Sequence, residues 1–415
     1  MRKIFGAAVT ACGLAALGAA TVASAQTSTP VGGSNVAGHY IVVLDDGVTG
    51  SAASAGINHA RAHGLAPTHV YSRALRGYSA PMSASAARQL AADPAVAFVE
   101  PDGVVSIAAQ TLPTGINRVD AELSPTAAID GVDRRVDVDV AVIDTGVDLD
   151  HPDLNVYTAG AKNCSTGKSA DDGNGHGTHV AGTIGALDNS IGVVGVAPGV
   201  RIWPVRVLNN RGSGTTSDVI CGIDYVTAHA SQIEVANMSL GGSGSDDSNC
   251  GNTNGDAEHV AICRSVAAGV TYAVAAGNNA GDAAQNVPAA YDEVITVSAL
   301  ADFNGQPGGG AAPTCRTDVD DTFADFSNFG TDVDLIAPGV CILSTWKSAR
   351  YNTISGTSMA APHVAGGAAL YKATHVTATP AAVESALQAA GTTNWIWPSQ
   401  DPDGIQEKLL NVSGF

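Results

Sequence analysis

A serine, a histidine, an aspartate and an asparagine in this chain each stand where hydrolytic chemistry could use them. Ser358 lies in Gly356-Thr357-Ser358-Met359-Ala360-Ala361-Pro362-His363, ahead of an Ala- and Gly-rich run that predicts a buried helix with Ser358 at its first turn. Free backbone N–H groups and a partial positive charge at such a turn favour a developing anion. An alcohol is a weak nucleophile and needs an imidazole to take its proton, and the imidazole needs a carboxylate to hold its tautomer. His176, in Asn174-Gly175-His176-Gly177-Thr178-His179, sits at a predicted helix start. Asp144, in Val142-Ile143-Asp144-Thr145-Gly146, sits at a predicted strand end. Asn278, in Ala276-Gly277-Asn278, offers a carboxamide that could join the Ser358 N–H as an oxyanion donor. Each has a plainer role when taken alone: Ser358 as a helix cap, Asp144 and Asn278 as turn formers, His176 as a helix-start residue. Their joint occurrence in glycine-rich settings points to a nucleophilic serine and its helpers. His179 and His151 are expected to be structural, and the His176/His179 pair lacks the H-E-x-x-H spacing of a zinc protease.

The elements that must position these groups alternate. Apolar, β-branched runs at 136–143, 201–208, 234–240, 270–276 and 294–299 predict strands, with helices between them at 176–185 and 217–229. This order predicts an α/β fold with a mostly parallel sheet and helices on both faces, and ligand sites at the carboxyl ends of strands. Asp144 and the 239–242 stretch fall at such ends. Residues 303–322 read as an inserted surface loop, and a last helix is expected from Thr379-Pro380. Upstream, residues 39–107 predict a small α+β domain: strand 40–44, helix 51–63, strands within 71–82 about Arg76-Gly77, helix 83–92 capped by Ser83, and strand 96–100.

The net charge of −19 argues against nucleic acid as a partner, because phosphate binding needs basic patches. Arg2 and Lys3, a short apolar run and Ala23-Ser24-Ala25 read as a secretory signal cut before Gln26, and no membrane anchor is expected. Of seven cysteines, Cys12 would leave with the signal. The remaining Cys164, Cys221, Cys250, Cys263, Cys315 and Cys341 are an even set in an exported chain, which points to disulfides. They allow 15 pairings; neighbours in sequence are the simplest choice.

The Asp144-Thr145-Gly146, His176-Gly177-Thr178-His179 and Gly356-Thr357-Ser358-Met359-Ala360 motifs, in the chain order Asp, His, Ser, resemble the subtilisin-like serine proteases over residues 109–415. The resemblance implies that Asp144 orients His176, that His176 is the general base and acid, that Ser358 attacks the peptide carbonyl, and that Asn278 is the oxyanion asparagine. Ser239, Leu240 and Gly241 would pair with the substrate backbone opposite Gly212, Ser213 and Gly214, and Asn286 would lie at the floor of the main pocket. Leu240 would line apolar pockets, implying broad specificity. Gln110, Asp153, Leu187, Asn189, Ile191 and Val193 resemble the family's strong calcium site, an all-oxygen set of the kind calcium prefers. Ala289, Tyr291, Val294 and Asp334 would form a weaker cation site.

Residues 26–108 resemble an inhibitor-type propeptide, with its ferredoxin-like domain at about 39–107. The implied protein is a secreted endopeptidase made as a zymogen that cuts itself at or beside Ala108, works as a monomer, and needs no organic cofactor. An inactive binding protein of the same fold remains the alternative. A serine esterase of the α/β-hydrolase kind would need a G-x-S-x-G elbow and the order Ser, Asp, His, and neither is present.

Overall fold

The computed structural model describes residues 35–103, 109–398 and 401–415. The expected signal, Cys12 and the cleavage junction beside Ala108 lie outside them. The chain divides into two compact units, Met1–Ile107 and Ala108–Phe415.

In the first unit, β1 (Asn35–Leu44), α1 (Ala52–Ala62), β2 (His69–Tyr71), β3 (Gly77–Pro81), α2 (Ala84–Leu90) and β4 (Val96–Gly103) follow one another. The sheet is antiparallel in the order β2-β3-β1-β4. Ser51 and Ser83 cap the two helices with their hydroxyls, Ser83 as expected from its place ahead of an Ala-rich run. The helices cover one face, where Val42, Leu44, Tyr78, Ala80 and Leu90 form the core.

The second unit opens with α3 (Thr114–Arg118) and β5 (Asp139–Asp144). It continues through β6 (Lys162–Asn163), α4 (His176–Gly185), β7 (Arg201–Arg206), α5 (Thr216–Ala228), β8 (Val235–Met238), β9 (Gly242–Ser243), α6 (Ala257–Ala267), β10 (Thr271–Ala275), β11 (Asn286–Val287) and β12 (Ile295–Ala301). It ends with β13 (Thr322–Phe323), β14 (Leu335–Pro338), β15 (Ile342–Trp346), β16 (Arg350–Ile354), α7 (Thr357–Thr374), α8 (Pro380–Ala390) and β17 (Lys408–Leu409). The main sheet runs β17-β14-β12-β10-β8-β5-β7-β6, every neighbour parallel; β13 alone adds antiparallel to β12.

β5 shows why helices cover both faces. All its residues are buried, and alternate side chains leave on opposite sides. Val140 and Val142 join a core with Val180 and Ile184 of α4 and Val364 and Leu370 of α7. Ala141 and Ile143 join another with Val219 and Ile223 of α5 and Ile262 of α6. The strand expected from Val136 begins only at Asp139, because the Val136 N–H is held by the Pro198 carbonyl and the Val138 N–H by Val136 itself. The sheet order reverses at β5: the chain steps to β7 on one side and to β8 on the other. A crevice at the carboxyl ends of strands is expected where such a reversal occurs. Disulfides join Cys164 to Cys221, Cys250 to Cys263, and Cys315 to Cys341, the sequence-neighbour pairing. The last of these ties the irregular 303–321 segment to the turn before β15.

Candidate active site

Asp144 ends β5 with no exposed surface. One carboxylate oxygen accepts the Thr145 N–H at 2.7 Å, and the two oxygens lie 2.8 and 3.0 Å from Nδ1 of His176. Nδ1 therefore carries the proton toward Asp144, leaving Nε2 as the basic nitrogen. His176 is the first residue of α4, behind Gly175 at φ 117°, a left-handed conformation that glycine adopts without strain. At Gly177 the helix approaches the Asp144–Gly146 turn so closely that a Cβ would collide with the Gly146 carbonyl. Burial lowers the basicity of His176, but the charge and hydrogen bond of Asp144 and the charge of Asp172 outweigh it, so its pKa is raised.

Asp172, absent from the residues picked out by sequence, organises this corner. Its Oδ1 accepts from the Thr145 hydroxyl at 2.9 Å and the Asn174 and Gly175 N–H groups at 2.9 and 2.8 Å. Its Oδ2 accepts from the N–H and hydroxyl of Thr178 at 3.0 and 2.6 Å. The strand-end turn and the start of α4 are thus fastened to one buried carboxylate. An acid before an Asn-Gly turn was the available signal, but it does not distinguish a clamp from a turn former.

Ser358 is the second residue of α7, and Gly356 takes the cap position. Its hydroxyl donates to the Ser239 carbonyl at 3.3 Å and makes no hydrogen bond to His176 in this rotamer. Catalytic hydrogen bonds are often unformed without substrate. The serine is anchored through its own carbonyl. Pro362 has no N–H, so the Ser358 carbonyl lacks its helical partner four residues on and instead accepts the Ser239 hydroxyl at 2.8 Å. The Ser239 hydroxyl in turn accepts from Asn237 Nδ2 at 2.9 Å. Asn278 follows β10, and its Oδ1 accepts from both the N–H and the hydroxyl of Thr357. Its Nδ2 makes no hydrogen bond among the described residues, so this donor remains free.

Asn278 and Ser358 line a cavity of about 200 Å³ together with Leu240, Gly241 and Asn286. A larger cavity of about 630 Å³ is lined by His176, by Gly212, Ser213 and Gly214 on one wall, and by Ser239, Leu240 and Gly241 on the other. Leu240 and Gly241 are shared, so the two spaces adjoin. His176, Ser358, Asn278 and both candidate substrate walls line this cleft at the carboxyl ends of β5, β8 and β10, and Asp144 is buried behind His176. Among the described residues, Glu258, at the start of α6, is the only acid lining the larger cavity; burial and then the charge of Asp256 push its carboxyl up to about 7. His179 is buried and held near 3 by desolvation, with Nε2 on the Ile342 carbonyl, and His151 bonds to Arg350 O; both are structural.

The first candidate cation set also converges. Gln110 Nε2 bridges the carbonyls of Leu187 and Val193 at 2.5 and 3.2 Å. Asp153 is buried; its carboxylate accepts from Asn189 Nδ2, Val193 N–H and the Tyr351 hydroxyl, and no lysine or arginine pairs with it among the described residues. Burial raises its pKa against these hydrogen bonds. The Ile191 N–H bonds to Asn189 Oδ1. A carboxamide nitrogen that spans two carbonyls, near a carboxyl group with no lysine or arginine partner, could give way to an oxygen-seeking cation, and turning Gln110 end over end would add its oxygen. In the second set, the Ala289 carbonyl accepts the Thr296 hydroxyl and the Tyr291 carbonyl the Val294 N–H, while Asp334 accepts from Thr296 N–H and Gln388. The Ala289 and Tyr291 carbonyls and the Asp334 carboxyl are thus already partnered, and burial pushes Asp334 up to about 7.

The chain matches the Subtilase family over residues 136–406 and the Peptidase inhibitor I9 family over residues 39–108. It is 38% identical over 317 residues to Subtilisin E of Bacillus subtilis (strain 168), covering 76% of this chain and 75% of the relative. It is 41% identical over 334 residues to an extracellular serine proteinase of Thermus sp. (strain Rt41A), covering 78% and 73%. A solved cold-adapted subtilisin-like serine proteinase aligns with a TM-score of 0.56 at 35% identity, covering 74% of this chain and 99% of that one. The chain therefore belongs to the subtilase family of serine endopeptidases and carries an I9 inhibitor propeptide.

Proposed function

We propose that this subtilase is a secreted endopeptidase of broad specificity that matures by cutting itself beside Ala108 and works through Asp144, His176, Ser358 and Asn278. The observation that carries this reading is the 2.8 Å contact between Asp144 and Nδ1 of His176, which leaves Nε2 as a base in the cleft that Ser358 lines. An extended peptide lies as a β-strand between 212–214 and 239–241, and its carbonyl carbon comes to the Ser358 hydroxyl. The hydroxyl leaves the Ser239 carbonyl and passes its proton to Nε2 as the Oγ–C bond forms. Negative charge on the carbonyl oxygen is met by Asn278 Nδ2 and the Ser358 N–H. The C–N bond then breaks, Nε2–H protonates the departing amine, and water repeats the sequence on the acyl-enzyme. The I9 domain serves as intramolecular inhibitor until it is removed. Calcium fits the oxygen set of Gln110, Asp153, Leu187, Asn189, Ile191 and Val193, where it would supply rigidity and take no part in the reaction.

Casein digestion by the processed enzyme, with and without a serine-directed phosphonofluoridate, tests the reading. Digestion blocked by the reagent is expected, together with accumulation of uncut proprotein in Ser358→Ala. No digestion by correctly processed protein would leave a binding protein of this fold, and normal processing of Ser358→Ala would remove self-cleavage.

A further inference from the structure

The segment between β9 and α6 gathers acids that proteolysis does not use. Asp246, Asp247, Asp256, Asp292 and Glu293 lie about His259 and Tyr291, and none of them is paired with a lysine or arginine among the described residues. The His259 side chain is 0% exposed and stacks on Tyr291 with ring centres 4.0 Å apart. Its Nε2 is 2.8 Å from Glu293 Oε2. That carboxylate takes the ring N–H and leaves a lone pair on Nδ1. Nδ1 is buried with no hydrogen-bond partner, and it faces Asp246 Oδ1 at 3.5 Å and Asp247 Oδ1 at 3.6 Å. A proton shared between these atoms would draw them to about 2.7–3.2 Å. Two ligands of one tetrahedral cation, each about 2.0–2.2 Å from it, stand roughly 3.4 Å apart.

We propose that Asp246, Asp247 and His259 bind a divalent cation of the zinc type, with Glu293 orienting the imidazole from behind. An imidazole nitrogen among the ligands favours zinc and its first-row neighbours over calcium, which takes oxygen. A carboxylate on the far ring nitrogen is the usual support for a metal-bound histidine. The Asp246 side chain is 14% exposed, which leaves a path for the ion and room for a water ligand. Cys250 and Cys263 are joined to each other, so they are not ligands. Asp247 also accepts backbone N–H groups from Asn249, Gly251, Thr253 and Asn254, so the cation would fasten this loop to α6. The loop begins where the Ser239–Gly241 substrate wall ends, and the cation would therefore steady that wall without touching substrate.

The test is titration of phosphonofluoridate-treated mature enzyme with cobalt(II) and then zinc(II), in excess calcium so that oxygen sites are filled. One equivalent of cobalt with visible d–d absorption, displaced by zinc, is expected. Asp246→Asn and Glu293→Gln should each weaken binding at least tenfold, and His259→Gln should abolish the spectrum. The proposal is overturned if the enzyme takes up no stoichiometric ion, or if Asp246→Asn binds as the parent does. Should His259→Gln fail to fold, the other two variants decide the matter.

Discussion

Oδ1 of Asn278 accepts two hydrogen bonds from Thr357, one from the backbone N–H at 2.8 Å and one from the hydroxyl at 3.0 Å. The same hydroxyl accepts the Gly277 N–H at 3.1 Å. With its oxygen held twice, the carboxamide has one orientation, and its amide nitrogen is the end left for the cleft. Thr357→Val keeps the shape and loses the hydroxyl. We expect kcat to fall about tenfold, the worth of one such hydrogen bond in the barrier, with KM nearly unchanged and Thr357→Ser restoring the rate. Asn278→Ala should cost about 10²–10³ in kcat, the range known for this donor in a subtilisin. Steady-state kinetics on one peptide anilide would check both.

The catalytic candidates were legible because each sits in a short local pattern. Asp144 closes an apolar β-branched run, His176 and Ser358 open helices, and Asn278 follows a strand into a Gly turn. The supports were not legible, because they join residues far apart in sequence. Ser239 meets Ser358 across 119 positions, and Thr357 meets Asn278 across 79. Pro362 lies inside the helix predicted from sequence, and only the fold shows that its missing N–H frees the Ser358 carbonyl for Ser239. Glu258 stands in no sequence pattern that marks it, and nothing local reveals that it lines the cleft. The strand predicted from Val136 begins three residues late for the same reason, since the distant Pro198 carbonyl takes the Val136 N–H.

Asp172 holds the start of α4 and helps to raise the His176 pKa. His176 must be neutral to act as base, so activity rises with pH through that raised value. Asp172→Asn removes a negative charge and should move the acid limb of kcat/KM to lower pH, while kcat falls because one of its oxygens no longer accepts. A purely structural role would lower kcat and leave the limb in place. A pH profile of kcat/KM for parent and variant separates the two.

Glu258 lines the larger cavity together with both proposed substrate walls, and its carboxyl makes no hydrogen bond among the described residues. A basic side chain upstream of the scissile bond would give it a partner. Peptides with Lys at one of the P2–P4 positions should be cleaved roughly fivefold faster than their Glu counterparts, about 1 kcal/mol. Because the carboxyl is pushed up to about 7, it gains its charge as pH rises, and the preference should be larger at pH 8 than at pH 6. Glu258→Gln should flatten it. A positional library read at both pH values measures this directly.

Asp153 supplies the last expectation. Its folded pKa is raised, chiefly by burial, so without a cation the folded state holds a proton that the unfolded chain would release. Stability from that source is present at low pH and is lost as pH rises through the raised value. A calcium ion at Gln110, Asp153 and the carbonyls of Leu187, Ile191 and Val193 reverses the sign, because it binds the ionised carboxylate and releases the proton. The gain in Tm from calcium should therefore grow with pH, and chelator should lower Tm more at pH 8 than at pH 5. Asp153→Asn should remove most of the calcium-dependent part at both. Calorimetry on phosphonofluoridate-treated enzyme, where self-digestion cannot blur the transition, gives the comparison; a chelator effect equal in parent and variant would move the calcium to another set of ligands.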